Sequence, residues 1–185
     1  MNIKGTAVKV TDEYVKKFYP EKYEVWKETL PEDSKKIFQD IILSSNWYPI
    51  KPAFIEPTKV VANFFFASDY EKAAFEIGKY SAEVALKGIY KIFLKVASIP
   101  FIIKRTPTIY KTYYDKGNMI VEKTEDNYAI LRLFDIDIEH EILFYRIGGW
   151  MAGVPPLVGR KFVDLKIDKE IKHNQITATF KFRWE

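Results

Sequence analysis

Apolar residues recur at helical spacing in the first part of the chain and alternate with polar ones beyond Gly117, so the pattern predicts a helical half, about residues 1–116, and a strand-rich half, about 117–185. Residues 3–10 read as a short strand leading into helices at 12–18 and 21–30. A third helix, 31–43, opens on Pro31, Glu32 and Asp33, residues that suit a helix start because proline gives up an N–H that has no partner there and the dipole favours acids. Trp47, Tyr48 and Pro49 follow as an aromatic turn, Pro52 and Pro57 limit helix until about Thr58, and residues 60–66 are strongly apolar. The clearest helix is 70–86: Asp69 is a good N-cap, and Tyr70, Ala73, Ala74, Ile77, Tyr80 and Val84 share one face. Beside that face Ala74, Gly78, Ala82 and Ala85 form a stripe of small residues that admits a close neighbour. Gly88 interrupts the pattern before the apolar stretch 89–97. Ser98 and Pro100 then open a short helix ending near Arg105, and Thr106 with Pro107 repeat that signal for a helix carrying Ile109, Tyr110, Tyr113 and Tyr114, with Gly117 as its terminator.

In the second half, residues 118–123 and 128–134 flank the polar segment 124–127 as a hairpin. Asp135 and Asp137 precede an amphipathic helix over 138–152, residues 154–159 are a Pro/Gly-rich loop, and strands follow at 161–169 and 175–185. In the last of these Ile176, Ala178, Phe180, Phe182 and Trp184 alternate with Thr177, Thr179, Lys181 and Arg183, as in a half-buried antiparallel strand. The implied fold class is α+β: an N-terminal helical half packed on a C-terminal ββαββ antiparallel sheet. No flexible linker separates the halves, so residues 1–185 are expected to form a single domain around one core.

Composition narrows the function. Cysteine is absent, which removes disulfides, thiolate nucleophiles, iron–sulfur clusters and cysteine-containing zinc sites. The first ten residues lack a signal-peptide core, and no run reaches the ~18 uncharged apolar residues of a membrane helix. A cytoplasmic protein without an integral membrane segment is the expectation. The net charge of +4 comes from Lys and Arg interleaved with Asp and Glu rather than gathered in a run, so nucleic acid is not an expected partner.

Catalytic motifs are missing. His140, in the first turn of an acid-rich helix, and His173, in a Lys-rich hairpin turn, read as separate surface histidines, and no G-x-S-x-G elbow is present. Asp135 with Asp137 and Glu139 with Glu141 cluster at a helix start, where capping explains them better than acid/base chemistry. Gly148, Gly149 and Gly153 lack nucleotide-loop spacing, and Gly149 and Gly153, four apart, serve close packing against the sheet or a second subunit. The 14 Phe, 12 Tyr and 4 Trp supply either core or the walls of an apolar pocket. Among them Trp47, Tyr48, Tyr90, Phe93, Tyr110 and Tyr114 lie near Lys104, Arg105 and Lys111, so that Arg105 would anchor the head group of an apolar ligand. An aromatic core with snorkelling cations accounts for the same residues.

Ser45-Asn46-Trp47-Tyr48-Pro49, Gly78-Lys79-Tyr80-Ser81-Ala82, the stretch from Gly88 to Leu94, Ala97-Ser98-Ile99-Pro100, Tyr113-Tyr114-Asp115-Lys116-Gly117 and the start Lys4-Gly5-Thr6-Ala7 together resemble a bacterial family of similar length, numerous as paralogues in myxobacteria. The likeness runs to about Phe134. More remotely, helices followed by strand, strand, helix, strand, strand are similar to the superfamily of 4-vinyl-reductase-type domains, haem nitric-oxide-binding sensors and TRAPP tethering subunits. That resemblance implies a domain that binds a small or lipidic ligand or assembles as a dimer. The chain departs from it by lacking the cysteines of the first and third groups, and the helix histidine and Tyr-x-Ser-x-Arg signature of the second, which disfavours histidine-ligated haem. The expectation is a non-enzymatic ligand-binding or sensory domain holding a small apolar or lipidic molecule between helices and sheet, with no cofactor and no metal. Its alternative is a ligand-free dimeric adaptor for protein–protein interaction.

Overall fold

The computed structural model describes residues 1–87 and 98–185. Strand β1 is only Asn2–Lys4, because helix α1 begins already at Gly5 (Gly5–Phe18). The buried residues Gly5, Val8, Thr11, Tyr14 and Val15 follow the helical period, so the apolar positions expected in a longer strand belong to a helix face. Trp47–Pro49 is not a turn but strand β2, antiparallel to β1 with Ile3 opposite Tyr48. Between the two strands lie the short helices α2 (Tyr23–Thr29) and α3 (Glu32–Gln39).

A π-helical turn, Lys51–Ile55, runs directly into α4 (Glu56–Phe65). Pro52 occupies a first-turn position, where the missing N–H has no helical partner to lose, and Pro57 lies where the wider π-helical turn passes into α4, so neither delays the helix to Thr58. Helix α5 spans Tyr70–Lys87. The two helices expected between Ser98 and Gly117 are one, α6 (Ile99–Tyr113), with Pro107 in its interior. Ser98 caps it by accepting from the Phe101 N–H at 3.4 Å, and the Thr106 hydroxyl donates to the Ile102 carbonyl at 3.5 Å beside the proline.

Strands β3 (Asn118–Thr124), β4 (Tyr128–Asp137), β5 (Phe162–Lys172) and β6 (Gln175–Trp184) form an antiparallel sheet in the order β3-β4-β6-β5. Asp135, expected at a helix start, lies instead at a β4 irregularity with φ of 61° and accepts from the Asn118 amide at 2.6 Å. After a 3-10 turn, Ile138–His140, helix α7 runs Ile142–Leu157, past the expected end at Ala152. Its last turn keeps Val154 and Pro155 buried, and the Pro155 carbonyl accepts from the Val158 and Arg160 N–H groups at 3.1 and 2.9 Å.

α7 lies between α5 and the sheet. A Cβ on Gly148 would stand 2.7 Å from Leu165 of β5, whereas one on Gly149 would stand 1.9 Å from the Phe75 carbonyl oxygen and one on Gly153 2.9 Å from that of Lys79. The close packing of Gly149 and Gly153 is therefore made against α5 of the same chain rather than against the sheet. The result is an α+β fold in which one apolar cluster includes Ile3, Val61, Leu131, Phe144, Phe180 and Trp184, residues of both halves. No helix among the described residues is long and apolar enough to cross a membrane.

Candidate functional site

A cavity of about 290 Å³ opens where α1, α5, α6, α7 and the start of β3 meet. Ala7 and Val10 of α1, Val84 and Ala85 of α5, Met119 of β3 and Ile147 and Trp150 of α7 give it an apolar wall. Tyr110, Tyr113 and Tyr114, at the end of α6, close one side. Two lining hydroxyls are spent on their own helices: Ser81 donates to the Ile77 carbonyl at 2.9 Å and Thr106 to that of Ile102.

Among the described lining residues one is charged, Arg146 of α7. It is 3% exposed, with one guanidinium nitrogen donating to the Thr11 hydroxyl at 3.3 Å and another to the Ala7 carbonyl at 3.2 Å. The guanidinium carbon stands 5.3 Å from the Phe54 ring centroid. Among the described residues no carboxylate forms an ion pair with it. Burial lowers its pKa to about 10, which still leaves it charged near neutrality. Such a charge costs several kcal/mol to desolvate, a cost that neutral hydrogen bonds and a ring offset only in part.

Beside it, burial pushes the Tyr114 phenol upward, with the guanidinium pulling weakly the other way. The Tyr110 ring stacks on Tyr114 at 5.0 Å between centroids, and its hydroxyl donates to the Lys116 carbonyl at 2.6 Å. Burial raises the Tyr110 phenol above its ordinary range as well, so both rings meet the cavity as neutral phenols.

Of the residues singled out from sequence, Tyr110 and Tyr114 are brought together at this cavity. Trp47 and Tyr48 are not: they sit on the β1–β2 ribbon, Trp47 under the Lys4 ammonium at 4.4 Å and the Tyr48 hydroxyl accepting from the Leu43 N–H at 2.9 Å. Arg105 is exposed, lies over the Phe101 ring at 3.6 Å and is outside the cavity lining, which corrects its assignment as the anchor. Tyr90 and Phe93 lie outside the described residues. His140 is buried rather than on the surface, because the 3-10 turn folds it inward, and it is not part of the cavity. His173, with φ of 47°, is in the β5–β6 turn as expected.

Arg146 was the residue to find. It is the one charged position in the sequence between Glu141 and Arg160, a lone cation in a helix apolar all round, and such a helix is buried. A charge held there needs a partner.

No family model matches the sequence, and no curated protein matches it. In structure the chain is similar to H-NOX domains. A point mutant of T. Tengcongensis H-NOX superposes with a TM-score of 0.72 at 9% identity, covering 98% of this chain and 97% of that one. A Cs H-NOX variant carrying an unnatural amino acid gives 0.74 at 8% identity over 98% and 96% of the two chains. An oxygen-binding H-NOX domain related to soluble guanylate cyclases, solved as its oxygen complex, gives 0.72 at 9% identity over 98% and 95%. At these identities the likeness establishes the architecture: this chain has the fold of the H-NOX domains.

Proposed function

We propose that this chain is a non-enzymatic sensory domain that binds a small apolar molecule in the cavity between α1, α5, α6 and α7. The observation that carries the reading is the cavity itself: an apolar space of about 290 Å³ with one inward cation, near the lower end of the usual size range for small-molecule sites. The fold it shares with an oxygen-binding domain supports a sensory role. Ligand binding would act by favouring one of two arrangements of α6 and α7 over the other, by no more than the ligand's difference in affinity for them.

Haem, named in work on the H-NOX family, does not fit these residues. The lining contains no histidine, and the chain has no cysteine. Among the described residues no group of His, Cys, Asp or Glu is placed to hold a metal. A tyrosine can hold haem iron, but the Tyr110 hydroxyl is already donated to the Lys116 carbonyl at 2.6 Å.

Native mass spectrometry of the purified chain, followed by denaturing extraction, tests the reading. A stoichiometric small molecule that disappears in the cavity-filling variant Ala85→Phe is the expected result. A bare chain that also takes up no added decanol would overturn it.

A further inference from the structure

Resting on the ligand-binding reading, the inference here concerns the ligand's head group. We infer that the cavity takes a monocarboxylate with an apolar body, its carboxylate held by the buried guanidinium of Arg146. The size follows from the space of about 290 Å³. The charge follows from the wall, where Arg146 is the one ionised side chain among the described lining residues and is 3% exposed.

A guanidinium has more N–H donors, in a planar fork, than the two bonds to Thr11 and Ala7 use, and that fork matches a carboxylate. A single negative charge neutralises it. A phosphate, close to dianionic near neutrality, would bring a second charge with no lysine or other arginine among the described lining residues to meet it. The Tyr114 phenol lines the same space and, being protonated, is a donor that suits an anion rather than a cation. The apolar body would lie against Val84, Ala85, Ile147 and Trp150.

The test compares decanoate with decanol, two probes of equal chain length that differ in the head group, titrated calorimetrically into delipidated protein. Charge-assisted hydrogen bonds contribute about 1.5–3 kcal/mol, so wild-type protein should bind decanoate about tenfold to a hundredfold more tightly than decanol. Arg146→Met should abolish that preference, so that the two probes bind it alike, and Arg146→Lys should retain part of it. Equal affinities of the two probes for wild-type protein would overturn the carboxylate assignment and leave the apolar cavity standing. Binding of neither probe would overturn both. The wild-type comparison decides the matter even where a variant fails to fold.

Discussion

Gly78 of α5 and Gly149 of α7 meet so closely that a Cβ on Gly78 would stand 3.0 Å from the Gly149 Cα and 2.2 Å from the Arg146 carbonyl oxygen. The contact that locks the two helices thus fixes the backbone of Arg146, the buried cation of the cavity lining. Helix packing and site geometry share the same few atoms, and a shift of α7 along α5 would carry Arg146 with it.

Gly149→Ala should therefore destabilise the chain by about 2–3 kcal/mol, the upper part of the range for overpacking, because the added carbon would overlap a main-chain oxygen at 1.9 Å that cannot rotate away. Gly159→Ala is the control: nothing lies within 4 Å of its added carbon, but its φ of +74° is unfavourable for alanine, so about 1 kcal/mol is expected. Urea unfolding of the two variants should rank them in that order. Equal midpoints would mean that α7 slides off α5 at little cost.

Arg146→Met, measured without ligand, should unfold at the same or a higher denaturant concentration than the wild type. The substitution removes a desolvated charge that has no carboxylate partner among the described residues, and well-packed apolar replacements of buried charges are often neutral or stabilising. The lost charge-assisted bonds to Thr11 and Ala7 oppose this by roughly 1.5–3 kcal/mol each, against the several kcal/mol of desolvation that the charge no longer costs. A loss above about 3 kcal/mol would show that those contacts, with Phe54, already satisfy the charge.

Much of the architecture was legible because the periods are clean. The alternation from Ile176 to Trp184 and the helical repeat from Tyr70 to Val84 stand where the pattern put them. Proline misled in both directions: Pro107, Pro155 and Pro156 all lie inside helices, because buried neighbours such as Ile103 and Val154 hold those turns despite the missing N–H groups. The site was half legible. Aromatic clustering pointed to Tyr110 and Tyr114, which lie close to one another in sequence and line the cavity, but proximity in sequence also selected Arg105, whereas the buried cation of the lining comes from a helix after two intervening strands. Which distant residue closes a pocket is a property of topology, and local spacing does not contain it.

Asp115 ties the end of α6 to the N-terminal strand, accepting from the Asn2 main-chain N–H at 2.6 Å and from its side-chain amide at 2.7 Å. Burial raises its pKa, but those two bonds, together with the N-terminal amine and the residue's own main-chain N–H, outweigh it and the net position is below the usual 3.8. The ionised form is thus favoured by folding: its contribution is complete above the unfolded value and disappears as pH falls through the lower folded one. Asp115→Asn should flatten this part of the stability profile below about pH 4. An unaltered acid limb in the variant would count against the tie.

His140 should act in the opposite range. Its side chain is buried, its Nδ1 has no hydrogen-bond partner, and burial depresses its pKa below 6.5. Glu139 and Asp137, with oxygens at 3.5 and 3.8 Å from the ring nitrogens, pull the other way, while the N-terminal amine and Lys116 add to the depression. Above pH 6.5 the imidazole is neutral in both folded and unfolded chains and contributes no pH dependence. As pH falls below that value the unfolded chain takes up a proton before the folded one does, so stability declines until the folded-state pKa is passed. His140→Gln should remove this decline and match the wild type near pH 8, where neither residue is charged. Nuclear magnetic resonance titration of the imidazole gives an independent reading: a midpoint below 6.5 agrees with burial as the dominant influence. A midpoint above it would mean that the two carboxylates outweigh the loss of water, reversing the sign so that the histidine stabilises the fold in acid.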